Sequence, residues 1–193
     1  MKAASQPFFH LEDKKSMSNP EELQPKNRLD SGIIWTGNVL SILFLFTVLI
    51  SFYEVLMRYV FNAPTIWVHE TASFVGGSLF VIGGAYGLAA DKHVRVVLIY
   101  DHVSERVKQY LNVFHHIMGL LFTVLLSYAA YTMVESAWYA PWGEMRLETS
   151  GSAWDPVFPA LLKALIFGTL CLMSVQFVLH LIQEVHGLIK KKK

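Results

Sequence analysis

Of the 193 residues, 53% are apolar and 13% aromatic while 16% are charged, and the mean hydropathy is +0.39; these values exclude an ordinary soluble domain and indicate a small integral membrane protein. The formal net charge of +1 conceals Lys and Arg gathered in a few segments, with nothing resembling a nucleic-acid surface. Cys171, the only cysteine, lies in an apolar run, which excludes an internal disulfide, a cysteine metal site and redox pairing within the chain; it reads as a small buried apolar residue.

Residues 1–30 carry Lys2, Lys14, Lys15, Lys26 and Arg28, four acids before Asp30, and three prolines among Ser, Asn and Gln. This composition predicts a solvated cytoplasmic tail with little order. The run Ser31 to Tyr53 is 23 residues without a charge, long enough as a helix to exceed a hydrocarbon core of ~30 Å. It is too long for a signal-peptide core and is expected to remain as an uncleaved anchor.

Glu54 and Arg58 follow at i, i+4 with the acid first, the favourable order for a helical pair. Asn62-Ala63-Pro64 then stops the helix, because Pro64 disfavours a helical conformation at Ala63. The next run, from Thr65, has no Lys, Arg, Asp or Glu between Thr71 and Ala90. Its small residues Ser73, Gly76, Gly77, Gly83, Gly84 and Gly87 recur at spacings of three, four and seven. Gly83 and Gly87 form a GxxxG, a pattern that admits a close neighbouring helix.

Asp91 to Tyr110 is dense in charge and must lie outside the hydrocarbon. Asp101 is a candidate N-cap for a third span, with Val103, Val107, Leu111 and Phe114 on one face. Glu135 to Lys163 holds Trp138, Tyr139, Trp142 and Trp154, an expected interfacial belt. The resulting fold class is an all-α membrane protein with four transmembrane helices. The spans are expected at about 31–57, 66–90, 111–134 and 160–185 within a 31–189 domain, followed by a basic tail at 190–193. Successive segments carry five, one, four, two and four Lys plus Arg, thirteen against three on alternate sides. The positive-inside rule therefore places both termini in the cytoplasm and the Arg58 to Glu70 connection on the other side.

No Walker loop, dinucleotide fingerprint, HExxH or nucleophile elbow is present. Charged residues keep to the span ends, so the chain is expected to be non-catalytic and a poor ion path on its own. His115 and His116 in span 3 and His180 in span 4 fall on one side, which leaves open a bis-histidine haem and hence a redox-enzyme anchor; interfacial or hydrogen-bonded histidines are the simpler reading. An assembly scaffold unrelated to transport is a third. For Arg58, three partners are open: Glu54 along the helix, Glu70 across the hairpin, or another subunit. Glu70, with Trp67 and His69, opens helix 2 where an acid suits the positive end of the dipole.

Arg58-Tyr59-Val60-Phe61-Asn62, Trp67 and Glu70, Gly83-Gly84-Ala85, His93-Val94-Arg95-Val96, and Pro156, Pro159, Lys163, Gly168 and Gln176 together resemble the small membrane subunit of tripartite ATP-independent periplasmic (TRAP) transporters, a DctQ-like family. The resemblance covers about residues 30 to 186. The family often has an aspartate after His-Val-Arg-Val, where Val97 stands here and Asp101 is a candidate substitute. The resemblance implies a heterodimer with a large multi-span permease subunit in the bacterial inner membrane, served by a periplasmic substrate-binding protein. It also implies sodium-driven import of organic acids, with the sodium and substrate sites in the large subunit and no cofactor in this chain. The candidate interface or motif residues carried by it are Arg58, Tyr59, Asn62, Trp67, Glu70, Gly83, Gly84, Gly87, His93, Arg95, Pro156, Pro159, Lys163 and Gln176.

Overall fold

A computed structural model describes residues 27–90 and 104–191. Four helices carry the chain: α1 (Arg28–Tyr59), α2 (Val68–Ala89), α3 (Glu105–Trp138) and α4 (Phe158–Lys191). Each is long and apolar enough to cross a membrane, and no strand occurs among the described residues. The 34 residues of α3 and of α4 correspond to about 51 Å at the α-helical rise. Both therefore outrun the hydrocarbon and continue past the apolar windows read from the sequence.

Helix α1 begins at Arg28, three residues before the span expected at about 31–57. Asn27 is extended (φ −151°, ψ 173°) and its carboxamide oxygen accepts the Asp30 backbone N–H at 2.8 Å, which makes it the N-cap. Asp30 thus lies in the first turn and is buried. A hydropathy count ends the polar tail at the last charge, whereas the backbone starts the helix at its cap. At the other end of α1, Asn62 takes φ 52°, a left-handed conformation that asparagine tolerates better than most residues. The Ala63 N–H donates to the Met57 carbonyl at 2.9 Å, and Pro64 prevents the helix from resuming. The N-cap of α3 is Ser104; Asp101, offered for that role, lies outside the described residues, as does the polar tail through Lys26.

The helices pack as a row in the order α1, α2, α4, α3: α1 lies on α2, α2 on α4, and α4 on α3. Glycine sets two of these approaches. A Cβ on Gly119 of α3 would stand 2.5 Å from Cζ and 3.0 Å from Cδ1 of Phe177 on α4, and one on Gly37 of α1 would crowd the Tyr86 ring of α2. A small core of Ile33, Ile34, Ala85 and Ala89 joins α1 to α2, with Tyr86 and Met173 against it. Large apolar side chains elsewhere, among them Trp35, Phe44, Phe80, Phe122 and Leu125, point outward. Apolar groups so placed at span depth are solvated by lipid or covered by another membrane chain.

Candidate partner-facing site and polar node

The end of the row that carries Arg58 is tied together by side chains from every helix. Glu54, in the last turns of α1, accepts Arg58 Nε at 3.1 Å and Nη2 at 2.6 Å on Oε1. Its Oε2 accepts the Thr65 backbone N–H at 3.0 Å and the Thr65 hydroxyl. One carboxylate therefore closes the α1–α2 hairpin, pinning the residue after Pro64 to the helix before it. The Arg58 side chain is 51% exposed while that of Glu54 is 11% exposed, so the guanidinium retains a face for a further acceptor. Of the three partners open to Arg58, Glu54 is the one found.

Glu70 instead accepts the Ser150 hydroxyl at 3.1 Å, which joins the start of α2 to the α3–α4 connection. That connection is built rather than loose. Arg146 N–H donates to the Trp138 carbonyl at 2.9 Å, Glu148 N–H to Ala137 at 2.7 Å, and Ser150 N–H to Pro156 at 3.0 Å. Gly143 and Gly151 turn it with φ values of 91° and 70°, where L side chains are disfavoured. Asp155 accepts the Gly151 N–H at 2.8 Å. Trp138 donates its indole N–H to the Ala160 carbonyl at 3.1 Å, and Lys163 of α4 pairs with Glu148. Phe74 and Phe158 stack at 4.4 Å. Beside these rings a cavity of about 390 Å³ is lined by His69, Glu70, Ser73, Phe74, Ser150 and Pro159 among others.

The remaining motif residues fall into distinct places. Tyr59 is exposed, and Trp67 is partly exposed with its ring 6.4 Å from that of Tyr53. Pro159 enters the first turn of α4, and the Pro156 carbonyl closes the connection. The glycine stripe of α2 divides. Gly84 looks toward Met173, and the neighbouring Gly77 toward Leu162, both on α4, whereas Gly76, Gly83 and Gly87 have nothing within 4 Å of a would-be Cβ. The GxxxG thus lies on an outward face. His93 and Arg95 lie outside the described residues.

At the opposite end of the row, Gln176 belongs to a polar node drawn from all four helices. Its Nε2 donates to Asp30 Oδ1 at 3.1 Å and to the Ala85 carbonyl at 3.3 Å. His180, one turn further along α4, places Nε2 2.7 Å from Asp30 Oδ2. His116 of α3 stands edge-on to His180, ring centres 5.6 Å apart, and Phe177 packs 6.1 Å from His116. Asp30 and Gln176 are 0% exposed, His116 and His180 1%. A haem ligated through His180 Nε2 would displace the bond that this nitrogen makes with Asp30.

Sequence reasoning missed Asp30, Thr65 and Ser150. The signals for Asp30 were Asn27 three residues before it and the i, i+4 pair Gln176 and His180, which puts two polar groups on one face of an apolar span. No signal pointed to Ser150 beyond its place in a turn.

Among the described residues, no group of three or more His, Cys, Asp and Glu side chains gathers in a way that would hold a metal ion. The polar groups tie helix to helix, and the fold is that of a multi-span membrane protein whose side chains are spent on packing and on interhelical ties. Residues 31–187 match the family described as DctQ, the DctQ component of tripartite ATP-independent periplasmic transporters. The chain belongs to that family, and is a TRAP transporter small membrane subunit. No curated protein matches the sequence.

Proposed function

We propose that this chain is the non-catalytic brace of a sodium-driven importer of organic acids. It widens and steadies a large permease subunit in the bacterial inner membrane, while a periplasmic binding protein delivers the substrate. The observation that carries the reading is the exposed face of the α1–α2 hairpin, where Gly83 and Gly87 leave open space beside outward apolar side chains such as Phe44 and Phe80. Small residues at span depth let a second backbone approach closely, and a TRAP family member has a large membrane subunit to supply one. With both termini cytoplasmic, the Glu54–Arg58 tie and the α3–α4 connection face the periplasm. The exposed Arg58 face, together with Glu144 and Asp155 of the α3–α4 connection, then contributes to docking the binding protein.

A part that stays fixed while another moves across the bilayer must resist being dragged, and a wide row of helices presents more lipid-facing surface than a compact bundle. The test is co-expression with the large permease subunit of a TRAP transporter from the same organism. The two membrane chains are expected to co-purify, and proteoliposomes holding both to take up an organic acid only with an inward sodium gradient and the binding protein present. Failure of the two chains to co-purify, with each folded, would overturn the reading. An absorption spectrum of the purified chain separates the haem-anchor alternative, which requires a Soret band.

A further inference from the structure

The geometry points to the Asp30 node as a clasp that makes the two helical hairpins a single rigid body. The row α1, α2, α4, α3 consists of the hairpins α1–α2 and α3–α4, and the main contact between them is the packing of α2 on α4. Two bodies joined along one helix pair can roll or slide about that line, the shear motion seen between packed helices. A second attachment away from the line removes this freedom. Asp30 is such an attachment: it sits on α1, whose contact with α4 is otherwise sparse, and it holds Gln176 and His180 across 146 and 150 residues of sequence.

The node is specific as well as distant. Each carboxylate oxygen has its own partner, Gln176 Nε2 on Oδ1 and His180 Nε2 on Oδ2, so rotation of α1 breaks one bond or the other. Gln176 also donates to the Ala85 carbonyl of α2, and His180 is backed by His116 of α3. Rolling the hairpins would therefore strand buried polar groups, which is costly away from water. Asp30 lies in the first turn of α1, where its backbone N–H is capped by Asn27. The clasp supplies the rigidity that the brace reading requires, and its test uses this chain alone, so that its failure leaves the co-purification result to stand by itself.

The test is a distance distribution between spin labels on the two hairpins in the full chain reconstituted into liposomes. Leu45→Cys on α1 and Leu125→Cys on α3, both exposed, carry the labels in a Cys171→Ser background. The native pair is expected to give one narrow peak, and Asp30→Ala to lose it to a broad or split distribution with helix content unchanged. Because a truncated Asp30 leaves His180 Nε2 stranded, the double replacement Asp30→Leu with His180→Leu is measured as well, exchanging a buried polar pair for apolar side chains. It is expected to fold and to broaden the distribution likewise. A narrow peak unchanged from native in whichever of these variants folds would overturn the clasp.

Discussion

Replacing Gly119 by alanine tests whether the α3–α4 contact is as close as the structure draws it. The added methyl would meet the edge of the Phe177 ring, with Cζ at 2.5 Å, against the ~3.5–4.0 Å at which carbon atoms rest in contact. Phe177 has little room to turn aside: it is 1% exposed, with the His115 and His116 rings 6.4 and 6.1 Å away. Overpacking of this kind costs ~1–3 kcal/mol, while exchanging glycine for alanine in a helix returns up to ~1 kcal/mol. Gly83→Ala serves as the control, since it collects the same helical gain with nothing within 4 Å of the new methyl. The difference between the two variants isolates the packing cost, and at ~2–4 °C per kcal/mol for a chain of this size Gly119→Ala is expected to melt roughly 2–12 °C below Gly83→Ala. Circular dichroism on the chain in detergent reads this directly. Gly119→Ala melting at or above Gly83→Ala would refute the close approach.

Three further outcomes follow from the hairpin and the outward face. Glu54→Ala removes every bond that holds Thr65 to α1, whereas Arg58→Ala removes two bonds of a half-exposed side chain; the melting temperature is expected to fall further for Glu54→Ala. Asn62→Val places a β-branched residue at φ 52° and is expected to cost ~1–2 kcal/mol, while Asn62→Gly is tolerated, as chemical unfolding of the two variants would register. Gly83→Phe fills open space on α2, so the isolated chain is expected to melt like native while recovery of the large subunit in co-purification drops.

The four helices and their hairpins were legible because span length, charge and proline act locally. Pro64 ends α1 whatever the rest of the chain does, and Glu54 reaches Arg58 because four residues are one helical turn. That same locality explains why Arg58 did not take Glu70, which opens the next helix and finds Ser150 instead. Asp30 was counted with the tail because a run of hydropathy begins after the last charge, and its partners lie at the far end of the sequence. His180 invited a haem reading for a related reason: a histidine in an apolar span needs a partner, and spacing alone cannot distinguish an iron from a carboxylate on another helix. The split of the glycine stripe into Gly77 and Gly84 facing inward and Gly76, Gly83 and Gly87 facing outward depends on which side α4 occupies, a matter of tertiary packing.

The span of chain between Asp30 and His180 also bears on how the protein is made. The carboxylate is synthesised 150 residues before the imidazole that receives it, which at ~5–20 residues per second means a wait of roughly 8–30 s during translation. An acid in the middle of α1 would spend that interval unpaired in hydrocarbon. Placed in the first turn beside Asn27, it can remain hydrated at the membrane boundary until α4 is inserted, and the closing of its two bonds becomes the event that marks the last helix as correctly seated.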